Sequence, residues 1–461
     1  MADHIQIHVD NRDGRDTQPG TRTTPVRTAH RAFSLLPEAW RGSAEIVFAP
    51  TGDPYDIITD AVSFGTPVGP DATPLVIRGD YQDLLTVTAD AASDGNRVMV
   101  TADHGSDELI GAVFTRLSGT GTPIGTAVSI RGNSSGPTME ISLLQTIGAV
   151  AAGDRFKVQR PAVTLRPTRT LHLTSHDGRS PNFTMIGIKF APAPGMALNL
   201  LNIRAMCDTC EFAFQAGVNN TVHTEARIQG GIEDPLLAPS IPPERGAAGV
   251  YIHGTAPTDL FSATRGGILA GHLVFKDVNV RVSQGGVFIP RTLEALRAPI
   301  HILTGGMALG QPASRTGPFS WGTANNKARI RNVPGPQGDG IRVFNGGTLN
   351  SPAGPIHLDI FGCGRDGIRL DMGSTVSFGL PGAEAGLVTT GPLNLGFGMN
   401  VRNASRALVG TDAATNPLKG EQGQVRIDND PPRLWSDVIA APLSNAGTLV
   451  RVNTVEIPLV R

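Results

Sequence analysis

Cysteine is nearly absent from this chain. It has three in 461 residues, which rules out the disulfide framework that small secreted folds depend on. Cys207-x-x-Cys210 has no second pair to complete a zinc site, and both thiols read as small apolar side chains in a buried strand. Aromatic residues make up 5% of the chain, and Trp40, Trp321 and Trp435 are its only tryptophans. A row of aromatic sugar platforms is therefore not visible. Charge of one sign is also missing. The formal net charge of −1 gives no global pull toward nucleic acid or an anionic membrane. No apolar run approaches the roughly 18 residues of a membrane span. Met1-Ala2-Asp3-His4-Ile5 lacks a basic-then-apolar segment. The expectation is synthesis in a bacterial cytoplasm without a signal peptide, followed by residence in a virion or another extracellular particle. Coiled-coil heptads, a P-loop, a G-x-S-x-G elbow and an H-E-x-x-H helix are absent as well.

Glycine is plentiful, at 56 residues, alongside 35 prolines, and it falls in a repeating phrase. Asp339-Gly340-Ile341-Arg342-Val343 returns 27 residues on as Asp366-Gly367-Ile368-Arg369-Leu370. Looser copies are Gly249-Val250-Tyr251-Ile252, Gly286-Val287-Phe288-Ile289 and Gly398-Met399-Asn400-Val401. The step from Gly286 to Gly340 is twice the first offset, and that from Gly367 to Gly398 is 31. Periods of 20 to 50 residues mark repeat architectures. Each copy holds one short strand with alternating apolar residues. Ile341, Val343, Ile368 and Leu370 should point inward and stack. The fold expected is all-β: a right-handed parallel β-helix, or solenoid, of short strands.

Four segments follow. Residues 1–79 read as an N-terminal cap and the first rungs. They hold a strand at Ile5–Val9, a polar turn from Asp10 to Asp16, a capping helix opened by Thr28, and a returning strand at Glu45–Phe48. Residues 80–160 break the period with longer strands at wide spacing and read as an inserted antiparallel β-domain. Residues 161–410 form the main parallel β-helix, with lateral loops at 233–246, 255–270 and 305–327. Residues 411–461 supply C-terminal strands.

Stacked coils lie about 4.8 Å apart, so residues one period apart form ladders. The outward position of the phrase reads Tyr251, Phe288, Arg342, Arg369 and Asn400. Tyr251, Phe288, Arg342 and Arg369 are thus candidates for contact with an anionic glycan or a neighbouring subunit. If they meet neither, the two arginines should splay into solvent. Asp339 and Asp366, one coil apart, are the best carboxylate pair. Such a pair could serve a retaining glycosidase, but aspartate before a turn glycine commonly bonds its own backbone. On that reading Asp339→Asn and Asp366→Asn change stability only slightly. Gly271-His272-Leu273 and Arg329-Ile330-Arg331 are isolated fragments, and no adjacent Asp-Asp pair occurs. Calcium at the Asp10–Asp16 turn is a weak alternative to a plain turn, because its spacing departs from an EF-hand loop.

The order strand, D-x-G turn, short helix and first rungs resembles the pectate-lyase-like right-handed β-helix proteins. With its early insert, the chain is similar to phage tail-spike and virion appendage proteins. That resemblance implies a homotrimer or a partner among virion proteins, a possible cell-surface polysaccharide ligand, and no resident cofactor. Compared with the usual spike, a separate N-terminal anchoring domain and a C-terminal stalk are not visible. Attachment would then fall to the insert, the lateral loops or the C-terminal strands. The function expected is a structural or adhesive component of a phage-type particle. The alternatives are a polysaccharide lyase or glycoside hydrolase of the same superfamily, and a bacterial surface adhesin.

Overall fold

The computed structural model describes residues 4–68, 73–119, 123–175, 182–214, 221–230, 248–255, 259–309, 321, 326–350, 356–377, 388–390, 394–403, 405–408, 423–428, 449–452 and 455–458. The expected loop at 233–246 and Trp435 lie outside them. The chain divides into two compact units. One is Met1–Thr255 with Gly271–Val274, and the other is Ala256–Ala270 with Phe275–Arg461.

The first unit is a stack of parallel strands with an antiparallel insert. His4–Val9 pairs in parallel with Ser43–Phe48, which pairs with Leu75–Arg78. Asn182–Ile186 continues the stack, followed by Ala197–Asp208. Register places Ile7, Ile46, Ile77, Met185 and Cys207 in one column, and all are buried. Cys207 is therefore one apolar rung among five. A second column runs Tyr55, Leu165, Phe190, Phe212 and Ile252, with the rings of Phe190 and Phe212 stacked at 5.6 Å. In-register parallel coils put like residues on top of one another, and apolar columns of this kind supply most of the folding energy.

The helix Ala29–Leu35 starts where Thr28 accepts a hydrogen bond from the Arg31 amide, and it buries Ala29, Ala32 and Phe33. Its Phe33 ring meets Phe64 edge-on at 5.7 Å. Asp10 Oδ1 accepts from the amides of Arg12 and Asp13, at 2.9 and 3.0 Å, which closes the turn.

Strands from Tyr81–Thr88 to Arg155–Pro161 form a separate six-stranded sheet in which every pairing is antiparallel. Its own core is built around Phe114 and Phe156, stacked at 4.5 Å. The sheet packs back on the coils of its unit. Gly111 lies so close to the Tyr251 ring that a Cβ there would come within 2.2 Å of it. Arg160 lies over the same ring at 5.1 Å, and the Gly249 amide donates to Ser129 Oγ at 3.0 Å.

In the second unit the columns are Val280, Ile300, Ile341, Ile368 and Met399, and Val282, Ile302, Val343, Leu370 and Val401. All ten side chains are at most 1% exposed. The strands of Gly340 and Gly367 are adjacent rungs, as the repeat implies. The spacing, however, is irregular: from Val280 to Ile300, Ile341, Ile368 and Met399 the aligned residues of neighbouring coils lie 20, 41, 27 and 31 residues apart. The Gly286 phrase is out of phase with the Gly340 phrase. Val287–Leu296 aligns with Met307–Leu309 and then Thr348–Asn350, on a different side of the coil. Strand register holds the core while surplus residues leave as loops, so fixed sequence offsets mislead.

A repeated corner joins these sides. Gln284-Gly285, Thr304-Gly305, Asn345-Gly346 and Met372-Gly373 all have positive φ, and glycine takes that conformation without steric cost. The last strands, Leu449–Val452 and Val455–Pro458, pair antiparallel.

Candidate functional site

The outward faces of the second unit's strands carry a basic ladder. Cα register aligns Arg281 with His301, His301 with Arg342, Arg342 with Arg369, and Arg369 with Asn400. The ladder arises because one outward position recurs in consecutive coils of inward-alternating strands. Arg369 and Asn400 are buried, and the other three are half-buried. The Arg342 guanidinium lies 4.8 Å from the centre of the Phe344 ring. The arginines therefore lie along the sheet and do not splay into solvent.

Charge along the ladder is unevenly balanced. Arg369 approaches Asp366 and Asp371 at 3.6 and 3.7 Å. Among the described residues Arg281 and Arg342 have no carboxylate partner. The Nε–H groups of Arg281, Arg342 and Arg369 are shielded from water and have no hydrogen-bond partner among the described residues. Adjacent guanidinium groups one coil apart repel by roughly 3 kcal/mol at an effective dielectric near 20. His301 registers the same field. Burial lowers its pKa first, and Arg342, Arg281 and Arg365 lower it further, to about 4.

That shift has a measurable consequence. Above the ordinary histidine value of 6.5 both folded and unfolded chains hold His301 neutral, and its contribution to stability is complete. As pH falls from 6.5 toward about 4, the unfolded chain takes up the proton and the folded chain does not, so stability drops, by at most about 3 kcal/mol. His301→Gln should flatten the denaturation midpoint between these pH values relative to the parent. Parallel curves for the two proteins would refute the shift.

The expected carboxylate pair is placed beside the ladder and sealed. Asp339 and Asp366 are 0% and 1% exposed, which leaves neither open to a polymer. Asp339 holds Arg365 through both carboxylate oxygens, one at 2.7 Å, and accepts from the Asp366 amide at 3.3 Å. Asp366 accepts from the Phe397 amide at 2.8 Å and from Asn400 Nδ2 at 2.9 Å. Each aspartate thus ties down the next coil, where the sequence suggested a bond to its own turn. Burial and the neighbouring Asp339 raise the Asp366 pKa against the pull of those donors and of Arg369. Arg329 and Arg331 both reach the fully buried Glu294, at 2.9 and 2.6 Å.

Tyr251 and Phe288 do not belong to the ladder. Tyr251 is 5% exposed, lies under the insert and stacks on His253 at 4.5 Å. Phe288 is 0% exposed and packs edge-on to Trp321 at 5.4 Å. The sequence pattern gave them an outward position because the copies were aligned by glycine. Arg281 and His301 were missed for the same reason: Val280-Arg281-Val282 and Ile300-His301-Ile302 show the alternation but lack the preceding glycine. Among the described residues no three His, Cys, Asp or Glu side chains are grouped to hold a metal ion.

No family model matches the chain, and no curated protein matches it. Three solved structures illustrate what it is similar to. The tailspike gp61 of Pseudomonas phage phi297 is 11% identical over 97% of this chain and 74% of its own, with a TM-score of 0.28. The Gp54 tailspike of Acinetobacter baumannii bacteriophage AP22, solved with a capsular saccharide, is 10% identical over 83% and 74%, at 0.19. The GH136 lacto-N-biosidase of Eubacterium ramulus is 9% identical over 99% and 68%, at 0.25. Superpositions this loose carry no argument about function. The fold rests on the chain's own strand register, which is that of an all-β protein built as a parallel β-helix with an antiparallel β-sheet inserted early.

Proposed function

We propose that this chain is a structural and adhesive component of a phage or phage-derived particle, tail-spike-like, that holds an anionic surface polysaccharide along Arg281 and Arg342 without cleaving it. One observation carries the reading: Arg281, Arg342 and Arg369 share one outward column, with His301 between the first two, and Arg281 and Arg342 have no counter-charge among the described residues. A polymer bearing carboxylates at regular intervals would relieve that repulsion and pair bidentately with the arginines. The sealed Asp339 and Asp366 support binding over hydrolysis. In the same reading the chain assembles as a homotrimer, and the helix Ala29–Leu35 covers the open end of the first coils, where unpaired strand edges would invite aggregation.

The test is titration of the protein with a sheared acidic capsular polysaccharide and with a neutral one of equal length. Binding should be confined to the acidic polymer and weaken steeply with salt. The double variant Arg281→Ala, Arg342→Ala should lose about tenfold or more in affinity, since each charged hydrogen bond is worth about 1.5–3 kcal/mol. Unchanged affinity would reject the ladder. Shortening of the polymer by the parent protein would put a depolymerase in place of this reading.

A further inference from the structure

The ladder does not present a free charge on every coil. Register gives one outward column of Ser262, Arg281, His301, Arg342 and Arg369. Ser262 is uncharged. Burial first, and the arginines around it next, keep His301 neutral at neutral pH. Arg369 approaches Asp366 and Asp371 at 3.6 and 3.7 Å, so its charge is compensated. Arg281 and Arg342 remain, with no carboxylate partner among the described residues. They stand two coils apart, about 10 Å, with a neutral imidazole between them.

A second outward column lies beside the first, two residues further along each strand. It runs Ser283, Leu303, Phe344 and Asp371. Leu303 and Phe344 are half-buried, and the Arg342 guanidinium lies 4.8 Å from the centre of the Phe344 ring. His301 and Arg342 are thus flanked by an aliphatic and an aromatic side chain, a surface suited to the C–H face of a sugar ring. Asp371 closes this strip with a carboxylate, which repels a further acidic group beyond Arg342.

Resting on the adhesive role proposed above, we infer that the ladder selects an acidic polysaccharide with a carboxylate on every second sugar, the intervening neutral sugar lying against His301. One β-linked pyranose in an extended chain is about as long as one coil is high, so sugars keep step with coils. Carboxylates on alternate sugars then meet Arg281 and Arg342. The neutral imidazole between them offers one donor and one acceptor, a match for a hydroxyl or an acetamido group. A polymer with a carboxylate on every sugar would press an extra anion against His301, uncompensated, with a like charge one coil away on either side.

Calorimetric titration of the full chain with two octasaccharides at one ionic strength tests the spacing. Hyaluronan carries a carboxylate on alternate sugars, and a β-linked glucuronan carries one on every sugar. Hyaluronan should bind about tenfold tighter, the equivalent of about 1.4 kcal/mol. Non-specific attraction has the opposite sign, because the glucuronan is the more highly charged. His301→Gln keeps the position neutral and should keep the preference. His301→Arg puts a charge on each coil from Arg281 to Arg342 and should reverse it. Equal or tighter binding of the glucuronan by the parent, or an unchanged preference in a folded His301→Arg, would overturn the spacing and leave the adhesive role standing. Binding of neither octasaccharide would overturn both. The parent's preference decides alone if His301→Arg does not fold.

Discussion

Replacing Ile368 by aspartate should unfold the second unit, or lower its stability by at least about 4 kcal/mol. Ile368 is 0% exposed and sits mid-column, with Ile341 below it and Met399 above. Two costs add. The lost packing of a buried aliphatic side chain is worth about 2 kcal/mol or more. A carboxylate in an apolar column must also either desolvate or hold its proton. Ile368→Val, which keeps shape and polarity, should cost only about 1 kcal/mol. Chemical denaturation followed by circular dichroism reads both. An aspartate variant that melts with the parent would mean that Ile368 does not face the core, and the strand register would be wrong.

The second large effect separates two aspartates that look identical in the sequence. Asp339→Asn should cost about 3 kcal/mol. Asparagine puts an amide group against Arg365, where both carboxylate oxygens now accept, and it leaves that guanidinium short of its counter-charge. Asp366→Asn should be nearly neutral. The asparagine carbonyl can still accept from the Phe397 amide, and its NH2 can donate to Asn400 Oδ1, a buried oxygen that has no partner among the described residues. Arg369 keeps Asp371 at 3.7 Å. The elevated pKa of Asp366 points the same way, because a site that disfavours the ionised form loses little when the charge is removed. Equal melting temperatures for the two variants would contradict the geometry. The small shared effect suggested by the sequence is revised because each acid bonds across coils.

The strand phrase and its partners determined the fold in advance. Ile341, Val343, Ile368 and Leu370 alternate with polar residues, and period-2 alternation in short strands on repeated glycine turns has one compact solution, a stack of rungs. The insert was legible too, since its longer strands and wider spacing break that period. Register was decided only by the tertiary structure. Loops of unequal length leave the coil at its corners, so sequence offsets of 20, 41, 27 and 31 residues all advance the chain by one coil. Alignment by glycine therefore joined Tyr251 and Phe288 to a column they do not share. It also left out Arg281 and His301, whose strands lack the glycine. Burial was equally hidden. Asp339 and Asp366 occupy a turn position in the sequence, and only the next coil, arriving with the Asp366 and Phe397 amides, turns them into buried ties.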